Sequence, residues 1–589
     1  MKKSFYKICS IALVIAMVLS VCVCSVATVS AKGIDYTEYF TNRGDGLKNT
    51  YAKLKNGEQL NVVYFGGSVT VGSGSTNGGN WRELTGKWLE GLTGKGNQFP
   101  YASINNINAA YGDTGTWFGM YRMYEEILAY DPDLVFIECA INDVYNQLTY
   151  DQSSQYFETI VRKIRKEKPD CDIVTLLYTE KGKINALVNN DKMHGQAQAH
   201  EDVSVAYKIP SIRIGHALAD AINKEAKAQK KGWEELWSSY VTDIVHPNNK
   251  GYAIVFDAIK AYLQSELCGT KYEGATVVKH SRPCLVNTEL MDGNVKFIDA
   301  DEELNNASVA FGGTNFTYDG AKGYSGKLAG ALSTKDKKAV FKVKFTGTEL
   351  VMLGGMLAES NDSLNYPTGI IVKIDGGKQN VQPLAVKPPH ILATGLKSGT
   401  HTAEISIQYP GTAAYGGFSF SGFFSRDASK ATKESTIPKE FKKVKKDGTT
   451  KYQLYYDGFK CTKTGLYKVN DKYFYVKSGI WQKVTKILKY NGKYFYIKSG
   501  KWEKVTKLVK YSGKYFLVKS GKWDSSVKTL FKYNGKYFAI KSGKWYKGKM
   551  IIPYKGKKFY VNKGFAQLKF SGKIKYNYRT YKIKKGKVV

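Results

Sequence analysis

The C-terminal part of the chain repeats itself. Tyr473-Phe474-Tyr475-Val476-Lys477-Ser478-Gly479 returns as Tyr494–Gly500, Tyr515–Gly521 and Tyr537–Gly543, and Trp481, Trp502, Trp523 and Trp545 mark a period of 21, 21 and 22 residues. Few structures satisfy so short a period. Each unit reads strand, Asn-Gly or Ser-Gly turn, strand, which is one small hairpin. A lone hairpin cannot bury its aromatic face, whereas a stack of hairpins can. Residues 451–589 are therefore expected to form a β-hairpin repeat array.

The same region carries the charge. The 589 residues include 88 Lys+Arg and 51 Asp+Glu, a formal net charge of +37. Residues 431–589 hold 43 basic and 7 acidic residues, while residues 1–430 are nearly balanced at +1. A uniformly basic nucleic-acid binder is thereby excluded, and the apolar share of 43% excludes global disorder. The length calls for several domains.

At the N-terminus Lys2, Lys3 and Lys7 precede an apolar run from Ile8 to Val26 and then Val29-Ser30-Ala31. This order describes a secretory signal over 1–31, cut after Ala31. An uncleaved anchor helix is the alternative. Val21 before Cys22 argues against a lipoprotein. The mature chain keeps Cys139, Cys171, Cys268, Cys284 and Cys461, which have neither the density of a disulfide framework nor zinc-site spacing. A pairing of Cys268 with Cys284 is left open.

Between Asn61 and Glu266, short apolar runs alternate with helical patterns. The runs are 62–65, 134–137, 172–177 and 210–213, and the helical stretches include 156–168, 217–227 and 251–267. Continuously apolar strands alternating with helices imply a parallel sheet covered on both faces, here within residues 32–270. From 281 to 427 strand-like segments such as 339–345, 369–374, 402–408 and 417–424 are separated by turn residues, and a β-sandwich is expected. Residues 428–450 are polar and charged and read as a linker.

Four short motifs in the α/β segment bear chemistry. Gly66-Gly67-Ser68-Val69-Thr70 follows a strand, and small glycines let the chain turn so that a serine hydroxyl stands at the sheet edge. Tyr111-Gly112-Asp113-Thr114 offers the unobstructed backbone N–H of Gly112 to a developing oxyanion. Ala140-Ile141-Asn142-Asp143 follows the strand at 133–138 and supplies the Asn142 amide as a further donor. In Asp243-Ile244-Val245-His246-Pro247-Asn248 the spacing presents a carboxylate and an imidazole to one pocket, where the base takes the serine proton and the carboxylate fixes its tautomer.

In this order the four motifs resemble those of the GDSL/SGNH hydrolases, a superfamily of serine esterases, over about residues 55–267. The resemblance implies a three-layer α/β/α, flavodoxin-like domain with a five-stranded parallel sheet. By position Ser68 matches the nucleophile, His246 the general base and Asp243 its partner. The Ser68 N–H, Gly112 and Asn142 match the oxyanion hole. No metal or organic cofactor is implied. The first motif reads Gly-Gly-Ser-Val-Thr rather than Gly-Asp-Ser-Leu, and Ala140 stands where many members carry Gly, departures that resemble branches acting on carbohydrate esters. The tail resembles cell-wall-binding repeats, implying aromatic stacking on sugar rings and attraction of its lysines to anionic polymers.

The expected whole is thus a three-layer α/β hydrolase followed by a β-sandwich and a hairpin array. The function that follows is a secreted esterase deacetylating a polysaccharide such as xylan or another cell-wall glycan, held by its tail to a cell-wall polymer or insoluble glycan. A non-catalytic surface adhesin and a lipase-like acyl hydrolase are the alternatives. Nucleic-acid binding is disfavoured by export, and no transmembrane segment is expected in the mature chain.

Overall fold

The computed structural model describes residues 34–299, 317–319, 331–334, 340–357, 369–383, 390–408 and 417–589. The expected signal segment 1–31 lies outside them. The chain divides into two compact units, residues 1–436 and 437–589. Among the described residues no helix is long and apolar enough to cross a membrane.

The first unit begins with an α/β domain. Its strands are β1 (Phe40–Thr41), β2 (Gln59–Gly66), β3 (Ser103–Ala110), β4 (Leu134–Glu138), β5 (Asp172–Leu176) and β6 (Ser211–Ile212), and they lie in the order β1-β6-β5-β4-β2-β3. The five strands β2 to β6 are parallel, and only the two-residue edge strand β1 runs antiparallel, against β6. The principal helices are α1 (Lys48–Lys55), α2 (Ser68–Val71), α3 (Trp81–Glu90), α4 (Thr116–Glu126), α5 (Ala140–Tyr145), α6 (Tyr150–Glu167), α7 (Gly195–Tyr207), α8 (Ile214–Ala228) and α9 (Asn249–Leu267).

The strands are apolar on both faces because both faces are covered. Val62, Tyr64, Leu134, Phe136 and Val174 pack under α1, α3, α8 and α9. Val63, Phe65, Val135, Ile137 and Ile173 pack under α4, α6 and α7. Helix α6 starts earlier than its apolar periodicity suggests, since Thr149 and Gln152 form a capping box that begins the helix at Tyr150.

The sandwich comprises β7 (Lys296–Asp299), β8 (Thr317–Asp319), β9 (Ala331–Thr334), β10 (Val340–Gly347), β11 (Glu349–Leu357), β12 (Gly369–Ile374), β13 (Asn380–Pro383), β14 (His390–Ala393), β15 (Gly399–Gln408) and β16 (Gly417–Arg426). One antiparallel sheet runs β10-β15-β12-β13, the other β14-β11-β16-β9-β8 with β7 on β16. Phe341, Val343, Ile370 and Ile405 of the first face Leu350, Met352 and Phe423 of the second. The opposite side of the second sheet closes onto the α/β domain: Val351, Leu353 and Phe424 share a core with Phe118 and Tyr121 of α4. Arg426 pairs with Glu349 at 2.8 Å beside this contact.

Cys268 and Cys284, whose pairing was left open above, lie at the end of the α/β domain and in the segment that follows it. Different elements fix them. Cys268 caps α9, whereas the segment around Cys284 is tied to α6 through Arg162 on the Pro283 carbonyl and Glu158 on the Val286 N–H.

The second unit is a hairpin array, and it starts within the stretch expected to be a linker. Lys439–Lys446 pairs with Thr449–Tyr456 across a turn at Asp447-Gly448, both at positive φ. Phe441 and Val444 stand alone among lysines and lack a two-residue period, which hid this strand among charges. Six hairpins follow in sequence, each with a two-residue strand that pairs back onto it. The turns need two left-handed residues in a row, which Asn491-Gly492, Ser512-Gly513 and Asn534-Gly535 provide.

Candidate active site

Parallel register sets the site. Gly66 at the end of β2 pairs with Ala110 at the end of β3 and with Glu138 at the end of β4. The loops holding Ser68, Gly112 and Asn142 therefore leave the sheet side by side at its carboxyl edge. Strand β2 lies between β3 and β4, so the chain departs in opposite directions on either side of it, which is where open α/β sheets form a crevice.

Ser68 is the first residue of the short helix α2, half-buried, with Gly67 before it in extended conformation. A Cβ on Gly67 would lie 2.3 Å from Asn142 Oδ1 and 2.8 Å from its Nδ2, so glycine is required for the amide to stand against the Ser68 turn. Asn142 itself is buried. Gly112 follows Tyr111, whose N–H donates to the Gly66 carbonyl at 3.0 Å, and the space where a Gly112 side chain would point is open.

His246 and Asp243 come from the loop before α9. Ser68 Oγ donates to His246 Nε2 at 2.7 Å, and His246 Nδ1 donates to Asp243 Oδ2 at 2.6 Å. The other oxygen of Asp243 accepts the N–H of Val245 at 2.7 Å and of His246 at 2.8 Å. Burial pulls the Asp243 carboxyl up, but the two backbone N–H groups and the imidazole outweigh it and hold it below its ordinary value. It therefore stays ionised as pH falls toward the usual carboxylate range. Asp243 is half exposed, so its charge acts on the imidazole through partly aqueous surroundings.

Residues without a recognisable motif hold these loops. The buried guanidinium of Arg122 donates to the Gly66 carbonyl at 2.9 Å and to the Ala109 carbonyl at 2.6 Å, and stacks over the Phe65 ring at 3.9 Å. It joins the ends of β2 and β3. Tyr252 OH donates to the carbonyls of Val69 and Ser73, both at 3.0 Å, fixing the serine turn. Tyr178 OH donates to the Val245 carbonyl at 2.9 Å, fixing the histidine loop. Asp143 is fully buried and accepts from the Thr116 N–H at 2.6 Å, the Thr116 hydroxyl at 2.7 Å and the Ser153 hydroxyl at 2.5 Å. It anchors α5 and so orients its neighbour Asn142. No motif marks Arg122, Tyr178 and Tyr252, because their partners are backbone carbonyls far away in the chain.

The arrangement can deprotonate Ser68 as it attacks a carbonyl and can surround the resulting oxyanion with donors. Comparison with known proteins bears on the α/β domain as a whole. Residues 64–254 match the GDSL-like Lipase/Acylhydrolase family, a span that contains Ser68, Gly112, Asn142, Asp243 and His246. No curated protein sequence matches the chain. Among solved structures, a two-domain esterase (CEX) active on acetylated mannans is 19% identical, with a TM-score of 0.51 over 67% of this chain and 99% of its own. The same esterase co-crystallised with mannopentaose aligns over 67% of this chain and 98% of its own, again with 19% identity and a TM-score of 0.51. That coverage exceeds what the α/β domain alone supplies, so the likeness in fold extends into the β-rich region. Fold, register and family match agree: the α/β domain of this chain is an SGNH-type ester hydrolase.

Proposed function

We propose that the protein is an exported serine esterase that removes acetyl groups from a polysaccharide and is held at its place of action by the basic tail. The observation that carries the catalytic part is the unbroken relay from Ser68 Oγ through His246 to Asp243, at 2.7 and 2.6 Å. His246 Nε2 takes the proton of Ser68 as its oxygen attacks the ester carbonyl. The oxyanion is received by the N–H groups of Ser68 and Gly112 and the Asn142 amide. His246 then protonates the departing sugar oxygen as its bond to the acyl carbon breaks, freeing the hydroxyl and leaving acetyl-Ser68, and a water activated by the same imidazole releases acetate. Such a relay supplies on the order of 10⁶-fold acceleration, and one oxyanion donor contributes about 10²- to 10³-fold beside it.

The substrate class rests on the fold-level neighbour active on acetylated mannans and on the departures in the first and third motifs. Export rests on the lysine-led apolar segment ending at Ala31. The tether reading rests on the lysine excess of residues 431–589. In the array the tryptophans serve each other: Trp481, Trp502, Trp523 and Trp545 donate their indole N–H to the carbonyls of Gly500, Gly521, Gly543 and Gly564 one repeat on. Lys483 and Lys501 lie over the Trp481 ring at 5.0 and 5.7 Å. Attraction of an anionic wall polymer to the lysines is therefore favoured over stacking of neutral sugars on tryptophan. The test is a pull-down of the whole protein on cell walls and on insoluble mannan across a salt titration. Binding that weakens steeply with salt is expected, and salt-independent binding overturns the charge reading.

A further inference from the structure

The reaction as described leaves one carboxyl unused beneath the serine turn. Glu138 is the last residue of β4, and its side chain is fully buried. Strand alternation sends it to the face occupied by Leu134 and Phe136, where Val69, Tyr178 and Tyr252 also pack. Its Oε2 accepts from Thr70 Oγ1 at 3.2 Å, while its Oε1 has no partner among the described residues. Its own backbone carbonyl accepts the Gly67 N–H at 3.2 Å. One residue thus holds the chain on both sides of Ser68, through Gly67 before it and Thr70 after it.

We propose that Glu138 is a positioning residue for the esterase reaction: as a neutral carboxylic acid it seats the Ser68 turn against His246, and its ionisation unseats that turn. The inference rests on the assignment of Ser68 as nucleophile.

The surroundings favour the neutral form. Burial raises the carboxyl most, the Thr70 hydroxyl draws it back, the Asp143 carboxylate raises it and the Gly67 N–H lowers it, and the balance leaves it pushed up to about 7. The titratable groups facing it from the packed elements are Asp143 of α5, Tyr178 beyond the end of β5 and Tyr252 of α9; Cys139 follows it in the chain. Both tyrosines are held neutral, chiefly by burial. The cations nearest the turn, Arg82 and Arg122, are spent on the carbonyls of Thr70 and Gly66. An ionised Glu138 would therefore leave a charged, unpartnered oxygen in the core, a state relieved by drawing donors or water away from the turn. Tyr252 and Tyr178, which fix the serine and histidine loops, border the same space.

The experiment compares wild type, Glu138→Gln and Thr70→Val for kcat and KM on p-nitrophenyl acetate from pH 5 to 9, with thermal unfolding at each pH. For wild type, kcat is expected to fall as pH rises through about 7, with KM unchanged. This is the opposite sign to the loss caused by protonating the base. Glu138→Gln should keep kcat within about threefold of wild type at pH 6 and lack the alkaline fall. Thr70→Val, which removes a bond favouring the charged form, should move the fall to higher pH. For a carboxyl raised in the folded state, stability is complete below its ordinary value of 4.5 and declines until its folded value is passed. Wild type should accordingly lose melting temperature relative to Glu138→Gln between pH 4.5 and about 7. Coincident kcat profiles for wild type and Glu138→Gln overturn the proposal. If Glu138→Gln does not fold, an unmoved profile in Thr70→Val overturns it. A folded wild type without activity at any pH overturns the Ser68 assignment as well, which separates the two failures.

Discussion

At the residue scale the site depends on one absent side chain as much as on those present. Gly67→Ala would place a methyl group 2.3 Å from Asn142 Oδ1, so the amide must turn away from the Ser68 turn. We expect kcat to fall about 10²-fold with KM and melting temperature little changed, the pattern left by losing one oxyanion donor. A loss in KM alone, measured in the same assay, would place Asn142 in substrate binding instead. The residues proposed to do the chemistry were legible in the sequence because each sits in a short motif with its own spacing: Asp243 lies three positions before His246, and Ser68 follows two glycines. The residues that aim them were not legible. Arg122 meets the Gly66 carbonyl from 56 positions away, and Tyr252 meets the Val69 carbonyl from 183. Backbone carbonyls leave no trace in a sequence.

At the scale of elements, Asp143 is the fastening between α4, α5 and α6. Its carboxylate is fully buried, takes three donors and stands 3.0 Å from His200 Nε2. Removing it strands the Thr116 N–H and both hydroxyls in the core. Asp143→Ala is expected to cost about 3 to 5 kcal/mol, read as a lowered midpoint in urea unfolding, and to reduce activity through a displaced Asn142. A cost under about 1 kcal/mol would mean that water replaces the carboxylate. Element types followed from period alone in the α/β domain, where β2, β4 and β5 are apolar on both faces. Period failed at Lys439–Lys446, because a solvent-facing edge strand needs few apolar residues and its lysines resemble a linker.

At the scale of the whole molecule, the neutral and basic parts of the sequence fall into different compact units. The array gains its cohesion from neighbours, as repeats do. Trp502→Phe removes the 3.0 Å bond to the Gly521 carbonyl while keeping most of the ring contacts with Tyr473 and Phe495. It should lower the stability of the array by about 1 kcal/mol and leave ester hydrolysis unchanged, which differential scanning calorimetry with a parallel esterase assay can check. A change in kcat would show that the array acts on the chemistry. In the proposed function the charge, which the sequence displays most openly, concerns where the molecule is held, while the near-neutral residues 1–430 contain the candidate site.

The most direct test of the account is acetate release from acetylated mannan and acetylated xylan by the full-length protein and its Ser68→Ala variant. Steady release by the wild type, reduced by about 10⁴-fold or more in Ser68→Ala with the fold intact by circular dichroism, is predicted. Equal release by the two proteins, or none from either polymer or from a small acetyl ester, would contradict it.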